Sequence, residues 1–168
     1  VELVKQRAGF VSNSSSSSFI VAFPFIPRNP SEVETLLFPN GEKYSEQFEN
    51  IEFATTVFSD MQGKLPLTMD EIIEEFSSGW LIDMDDWDAE HRAEYEACFK
   101  DSSFNEFYEK KRKEEMRRSK ILAKKWTKDN PDRLFFSFQY GDESGSYFSQ
   151  MEHGGLFSNL PNKQISLH

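Results

Sequence analysis

Cysteine is almost missing from this chain: Cys98 is the only one among 168 residues, so no disulfide can form within it. Long apolar runs are missing too. The longest, Phe19 to Ile26, is interrupted by Pro24, and a membrane helix needs about 20 apolar residues. No charged segment followed by an apolar run opens the sequence, so no secretory leader is expected and a cytoplasmic, membrane-free setting is. Catalytic words are lacking as well. There is no Gly-x-Ser-x-Gly elbow and no His-Glu-x-x-His pair, and no cofactor-binding signature accompanies them. Valine is scarce, with 6 copies against 17 phenylalanines, so aromatic rings rather than interlocking β-branched side chains must fill much of the core.

Enough apolar material remains to fold. Leu, Ile, Val and Phe together number 42, a quarter of the residues, which excludes general disorder and suits a single domain over 1–168. The net charge of -10 is unevenly placed. Residues 31–100 hold 18 acids and 4 bases, whereas residues 101–130 hold 6 acids and 10 bases. Overall acidity opposes generic binding to duplex phosphates, so direct nucleic-acid binding is not the first expectation. A basic host protein, including one that itself binds nucleic acid, is the better partner.

Near the N-terminus, Gly9-Phe10-Val11-Ser12-Asn13 runs into Ser14 to Ser18 and then Phe19. Five serines in a row favour turns and caps, because their hydroxyls bond nearby backbone groups, so residues 1–18 are expected as a Ser-rich segment leading into a strand from Phe19 to Phe23. This word resembles the opening of a family of small uncharacterised proteins of bacteriophages and bacteria. The resemblance implies a phage or mobile-element origin and the cytoplasm of a bacterial host, and implies no activity.

Beyond Pro24, Pro27 and Pro30, the pair Ser31 and Glu34 predicts a capping box opening a helix over residues 31–38. Residues 51–62 mix strand-favouring Phe53, Thr55, Thr56 and Val57 with Ile51, Ala54, Phe58 and Met61 at helical spacing, and a helix ending at Gly63 is expected. Thr68 and Glu71 form another capping box, with Met69, Ile72, Ile73, Phe76 and Trp80 along one face. Asp83, Asp85, Asp86 and Asp88 follow; Asp83, Asp85 and Glu94 fit calcium-loop positions one, three and twelve, but Trp87 and Asp88 hold five and six, where a ligand and Gly belong, so an EF-hand is not expected. The four aspartates are instead the candidate partner-binding residues. His91 and Cys98 fall on one face of the helix they would open, as structural residues.

Ser103 and Glu106 predict a long charged helix over 103–128, supported by Glu106 with Lys110, Glu109 with Lys113 and Glu114 with Arg118. Its Lys110, Lys111, Arg112, Lys113, Arg117 and Arg118 make RNA binding an alternative function. Residues 133–168 read as a hairpin of Leu134 to Tyr140 and Ser146 to Met151, with a further strand over 164–167. Asp142, Glu143, Glu152, His153 and His168 are the candidate catalytic residues of a second alternative, a small metal-dependent hydrolase or nuclease. The spacing of His153 and His168 fits no ligand signature, so neither metal nor cofactor is expected. The leading expectation is an α+β fold, a small mainly antiparallel sheet packed with amphipathic helices, serving a non-enzymatic accessory protein that binds a host protein through an acidic surface.

Overall fold

The computed structural model describes residues 16–78, 80–81, 104–141, 145–153 and 155–166. Their fold is α+β. Strand β1 (Ser16–Phe23) leads into helices α1 (Pro30–Leu37), α2 (Asn50–Met61) and α3 (Met69–Ser77), and β2 (Trp80–Leu81) follows. Helix α4 (Phe104–Asp129), strand β3 (Leu134–Gly141), helix α5 (Ser146–His153) and strand β4 (Asn162–Ser166) complete the order. The strands form one antiparallel sheet in the order β2-β4-β1-β3.

The N-terminal strand is therefore central, with Phe19 opposite Phe138 on one side and Gln164 on the other. Helices cover both faces of the sheet. Phe19, Val21 and Phe23 meet α1, α2 and α5, whereas Ile20 and Ala22 meet Ile72 and Phe76 of α3 and Ala123 of α4. That is why Phe19-Ile-Val-Ala-Phe shows no polar alternation: every residue from Ser17 to Phe23 is buried. The larger face is aromatic, as the composition requires. Tyr44 meets Phe53 edge-on at 4.9 Å, and Phe53 stacks on Tyr147 at 4.8 Å with 6° between the rings.

Local signals place most elements but not always at their starts. Helix α1 begins at Pro30, and its N-cap is Asn29, whose Oδ1 accepts from the Glu32 N–H at 2.9 Å. The Ser31 and Glu34 box is not the one used. Proline at the first helical position loses nothing by lacking an N–H, so the N-cap lies two residues earlier than the Ser31 box implies. Helix α2 is present, but it buries Phe53, Ala54, Val57 and Met61, while Ile51 and Phe58 turn outward or half outward. Of its strand-favouring residues, Phe53 and Val57 face the core beside Ala54 and Met61, while Thr55 is exposed. Gly63, at φ 73°, follows as the left-handed residue that ends the turn.

The Thr68 box is formed reciprocally. Thr68 Oγ1 accepts from the Glu71 N–H at 3.3 Å, and Glu71 Oε2 accepts from the Thr68 N–H at 2.7 Å. Trp80 is not on α3 but in β2, where it pairs with Ser166 of β4. The expected C-terminal hairpin is overturned: Leu134 to Tyr140 is strand, but Ser146 to Met151 is helix. Its apolar residues Tyr147, Phe148 and Met151 lie at helical, not alternating, spacing. Tyr147 docks by stacking on Phe53 and donating its hydroxyl to the Glu52 carbonyl at 2.9 Å.

Candidate functional site

Three regions of the fold gather chemistry-bearing side chains. The first is the N-terminal end of β1, where Ser16, Ser17 and Ser18 are strand residues rather than the loop expected of a serine run. Alternation sends the buried hydroxyls of Ser17 and Ser18 to opposite faces of the sheet. Ser17 Oγ donates to Glu152 Oε1 of α5 at 3.2 Å and accepts from Gln164 Nε2 of β4 at 3.1 Å. Ser18 Oγ donates to Glu75 Oε2 of α3 at 3.1 Å. Small hydroxyls suit this place because they close the end of a two-sided core while supplying donors to a carboxylate on each face.

Glu152 and His153 end α5. The Glu152 side chain is fully buried, and its Oε2 lies 3.1 Å from Nε2 of the exposed His153. Nucleophilic catalysis needs the hydroxyl on the imidazole and the imidazole on the carboxylate. Here the carboxylate stands between the other two: Ser17 binds one of its oxygens and His153 the other, so the imidazole does not activate the serine. The arrangement ties α5 to β1. Asp142, Glu143 and His168 lie outside the described residues. Among the described residues no three His, Cys, Asp or Glu side chains gather where they would hold a metal. A cavity of about 200 Å³ lies between Leu37 to Tyr44 and Gly155 to Asn159, and none of Ser17, Glu152 and His153 lines it.

The second region is acidic. Residues 31–78, which include α1 to α3, hold eleven carboxylates and two lysines. Glu42, Glu49, Glu52, Asp70, Glu71 and Glu74 are exposed. Ion pairs in this stretch are Arg28 with Glu32 at 2.8 Å and Lys43 with Glu46 at 3.3 Å. The Arg28 backbone N–H, and then its guanidinium, hold the Glu32 carboxyl below its ordinary value. Most of the remaining negative field points to solvent. Asp83, Asp85, Asp86 and Asp88, with His91 and Cys98, lie outside the described residues.

The third region is α4. Ser119 and Ala123 are buried against the sheet and α3, with Ser119 Oγ donating to the Phe76 carbonyl at 3.4 Å. Residues 112–118 are all exposed. At 100° per residue, Lys110, Lys113, Arg117, Lys120, Lys124 and Lys128 fall within an arc of about 80°, and every residue in that arc between Lys110 and Lys128 is one of these six. All six are exposed, and among the described residues none has a carboxylate within ion-pair distance. Neither Glu106 with Lys110 nor Glu109 with Lys113 closes into a pair, and Glu114 and Arg118 are each already engaged. Of the basic residues singled out from sequence, Lys110, Lys113 and Arg117 belong to the stripe. Arg112 sits on the line of Ser119 and Ala123, and the side chain of Lys111 is outside the described set. Lys120, Lys124 and Lys128 were hidden because they are spread over the last turns instead of clustered; spacing of three and four residues was the signal.

No family model matches this chain, and comparisons with curated proteins and with solved structures return no match.

Proposed function

We propose that this chain is a non-enzymatic accessory protein, of phage or mobile-element origin, that binds a basic host protein through its acidic helices and the Asp83 to Asp88 segment. The observation that carries the reading is the segregation of charge: eleven carboxylates against two lysines over residues 31–78, with few ion pairs to the exposed ones among the described residues. An outward field of one sign steers an oppositely charged partner and excludes like-charged ones. The Gly9 to Phe19 word supports the phage origin. The order of Ser17, Glu152 and His153 argues against a serine hydrolase, since the imidazole does not reach the hydroxyl.

The test is affinity capture from a bacterial lysate by the wild-type chain and by a variant carrying Glu42→Gln, Glu74→Gln and Asn at positions 83, 85, 86 and 88. Basic proteins retained by the wild type and lost from the variant are expected. An unchanged captured set would overturn the proposal.

A further inference from the structure

Helix α4 carries a second charged surface, of opposite sign. We propose that the stripe formed by Lys110, Lys113, Arg117, Lys120, Lys124 and Lys128 binds the phosphate backbone of a nucleic-acid duplex without reading its sequence. This goes beyond the acidic-surface reading, since it uses a different element and a different class of partner.

Charge complementarity names the occupant. The intervals between successive stripe residues are three, four, three, four and four, so the cations stay on one line instead of winding round the helix. From Lys110 to Lys128 the line is about 27 Å long, at a rise of about 1.5 Å per residue. A duplex carries one phosphate per strand for about every 3.4 Å of its axis, so a rod of this length laid against it spans several of them. Among the described residues these six exposed cations have no carboxylate partner, so the helix fixes their spacing and no ion pair within that set must break before a phosphate is met.

The stripe's chemistry selects a duplex over a single strand. Single strands are held by aromatic side chains on which bases stack, and the arc contains none. Base edges are read by Asn or Gln on adenine and by Arg or Lys on guanine; the stripe has no Asn or Gln and a single Arg, and its five lysines meet phosphates as point charges. What remains is backbone attraction, which supplies position without sequence information. The acidic helices oppose a wrapped complex, so contact is confined to one side of the molecule and falls steeply with salt. With all six cations engaged, the logarithm of the affinity would fall with that of the salt concentration at a slope of about -5.

The experiment is fluorescence anisotropy of the full chain with labelled duplexes of about 20 base pairs, two unrelated sequences as DNA and the same two as RNA, over a range of salt. The wild type is expected to bind both sequences alike. A variant with Lys113→Gln, Arg117→Gln, Lys120→Gln and Lys124→Gln should bind at least about tenfold more weakly, with the salt slope reduced by about one per charge removed. A Lys113→Arg, Lys120→Arg, Lys124→Arg variant should bind as the wild type does, which separates charge from side-chain identity. The six side chains are exposed, and matching thermal melts will show that the variants fold. No duplex binding at low salt, binding unaffected by the Gln variant, or stronger binding to single strands would overturn the proposal. So would self-association that the Gln variant abolishes, which would make a second copy's acidic face the occupant. The acidic-face variant should bind duplex as well as the wild type or better, so failure here and failure of the host-protein reading are read separately.

Discussion

Two asparagine-or-serine choices at the start of α1 give a sharp test of how the helices are held. The Asn29 side chain accepts from the Glu32 N–H at 2.9 Å, while Ser31, two residues on, is already inside the helix. Substituting Asn29 by Ala removes an N-cap acceptor and leaves an orphan donor at the helix end, at a cost of about 1 kcal/mol, within a usual range of about 0.5–2 kcal/mol. Glu32 would keep its pair with Arg28 at 2.8 Å, so the loss should not rise above that range. Ser31→Ala touches no cap and should stay within about 0.5 kcal/mol of the wild type. Thr68→Ala supplies the matched case on the opposite face of the sheet. Thr68 lies outside α3, so helix propensity does not confound the change, and its 3.3 Å bond places the loss in the same range as that of Asn29. For a chain of this length, about 1 kcal/mol shifts the melting temperature by about 2–4 °C. Urea titrations of the three variants check the order. Ser31→Ala destabilising as much as Asn29→Ala would refute the assignment of the cap, and a silent Thr68→Ala would mean that the box is not used in solution.

Three further outcomes are expected. Phe53→Ala should destabilise by about 3–5 kcal/mol in a denaturant titration, because the ring is fully buried between Tyr44 and Tyr147; a loss under about 1 kcal/mol would place α5 elsewhere. Ser17→Ala removes a donor from a fully buried carboxylate and should cost about 1–3 kcal/mol, whereas Ser18→Ala, whose partner Glu75 is only half-buried, should cost less; equal losses measured by urea unfolding would contradict this. Burial pushes the Tyr44 hydroxyl up to about 12 from its ordinary 10.0 and moves Tyr140 and Tyr147 upward too. Groups with raised folded values contribute their full stability below about pH 10 and lose it as pH climbs towards 12 and beyond, so unfolding should track phenolate absorbance in that window and Tyr140→Phe should soften it.

Helices with a clean apolar period and a cap were legible in the sequence. The α3 box and its Ile72 and Phe76 stripe are local signals with local consequences, and the structure uses both. What was hidden depends on distant partners. Ser16 to Ser18 look like turn residues until Glu152 and Glu75 arrive from opposite faces to accept their hydroxyls, contacts 135 and 57 residues apart. Ser146 to Met151 follows a strand and a Gly-containing turn, which suggests a returning strand, but the spacing of Tyr147 and Met151 fits a helix and the ring that Tyr147 stacks on belongs to α2. The candidate chemistry suffered the same way: adjacency of Glu152 and His153 was visible, but not that the carboxylate would be sealed in the core with Ser17 on its other oxygen. The basic stripe needed only angular bookkeeping along α4, and clustering of Lys110 to Lys113 drew attention away from Lys120, Lys124 and Lys128.

The proposed host protein would be met by the acidic helices and not by α4. Zero-length carbodiimide coupling of the complex recovered by affinity capture, followed by peptide mapping, tests it most directly, because the reagent joins a carboxylate to an amine only where the two touch. Links from Asp and Glu residues between positions 31 and 88 of this chain to lysines of the partner are expected. Links running the other way, from the lysines of α4 to carboxylates of the partner, would contradict it.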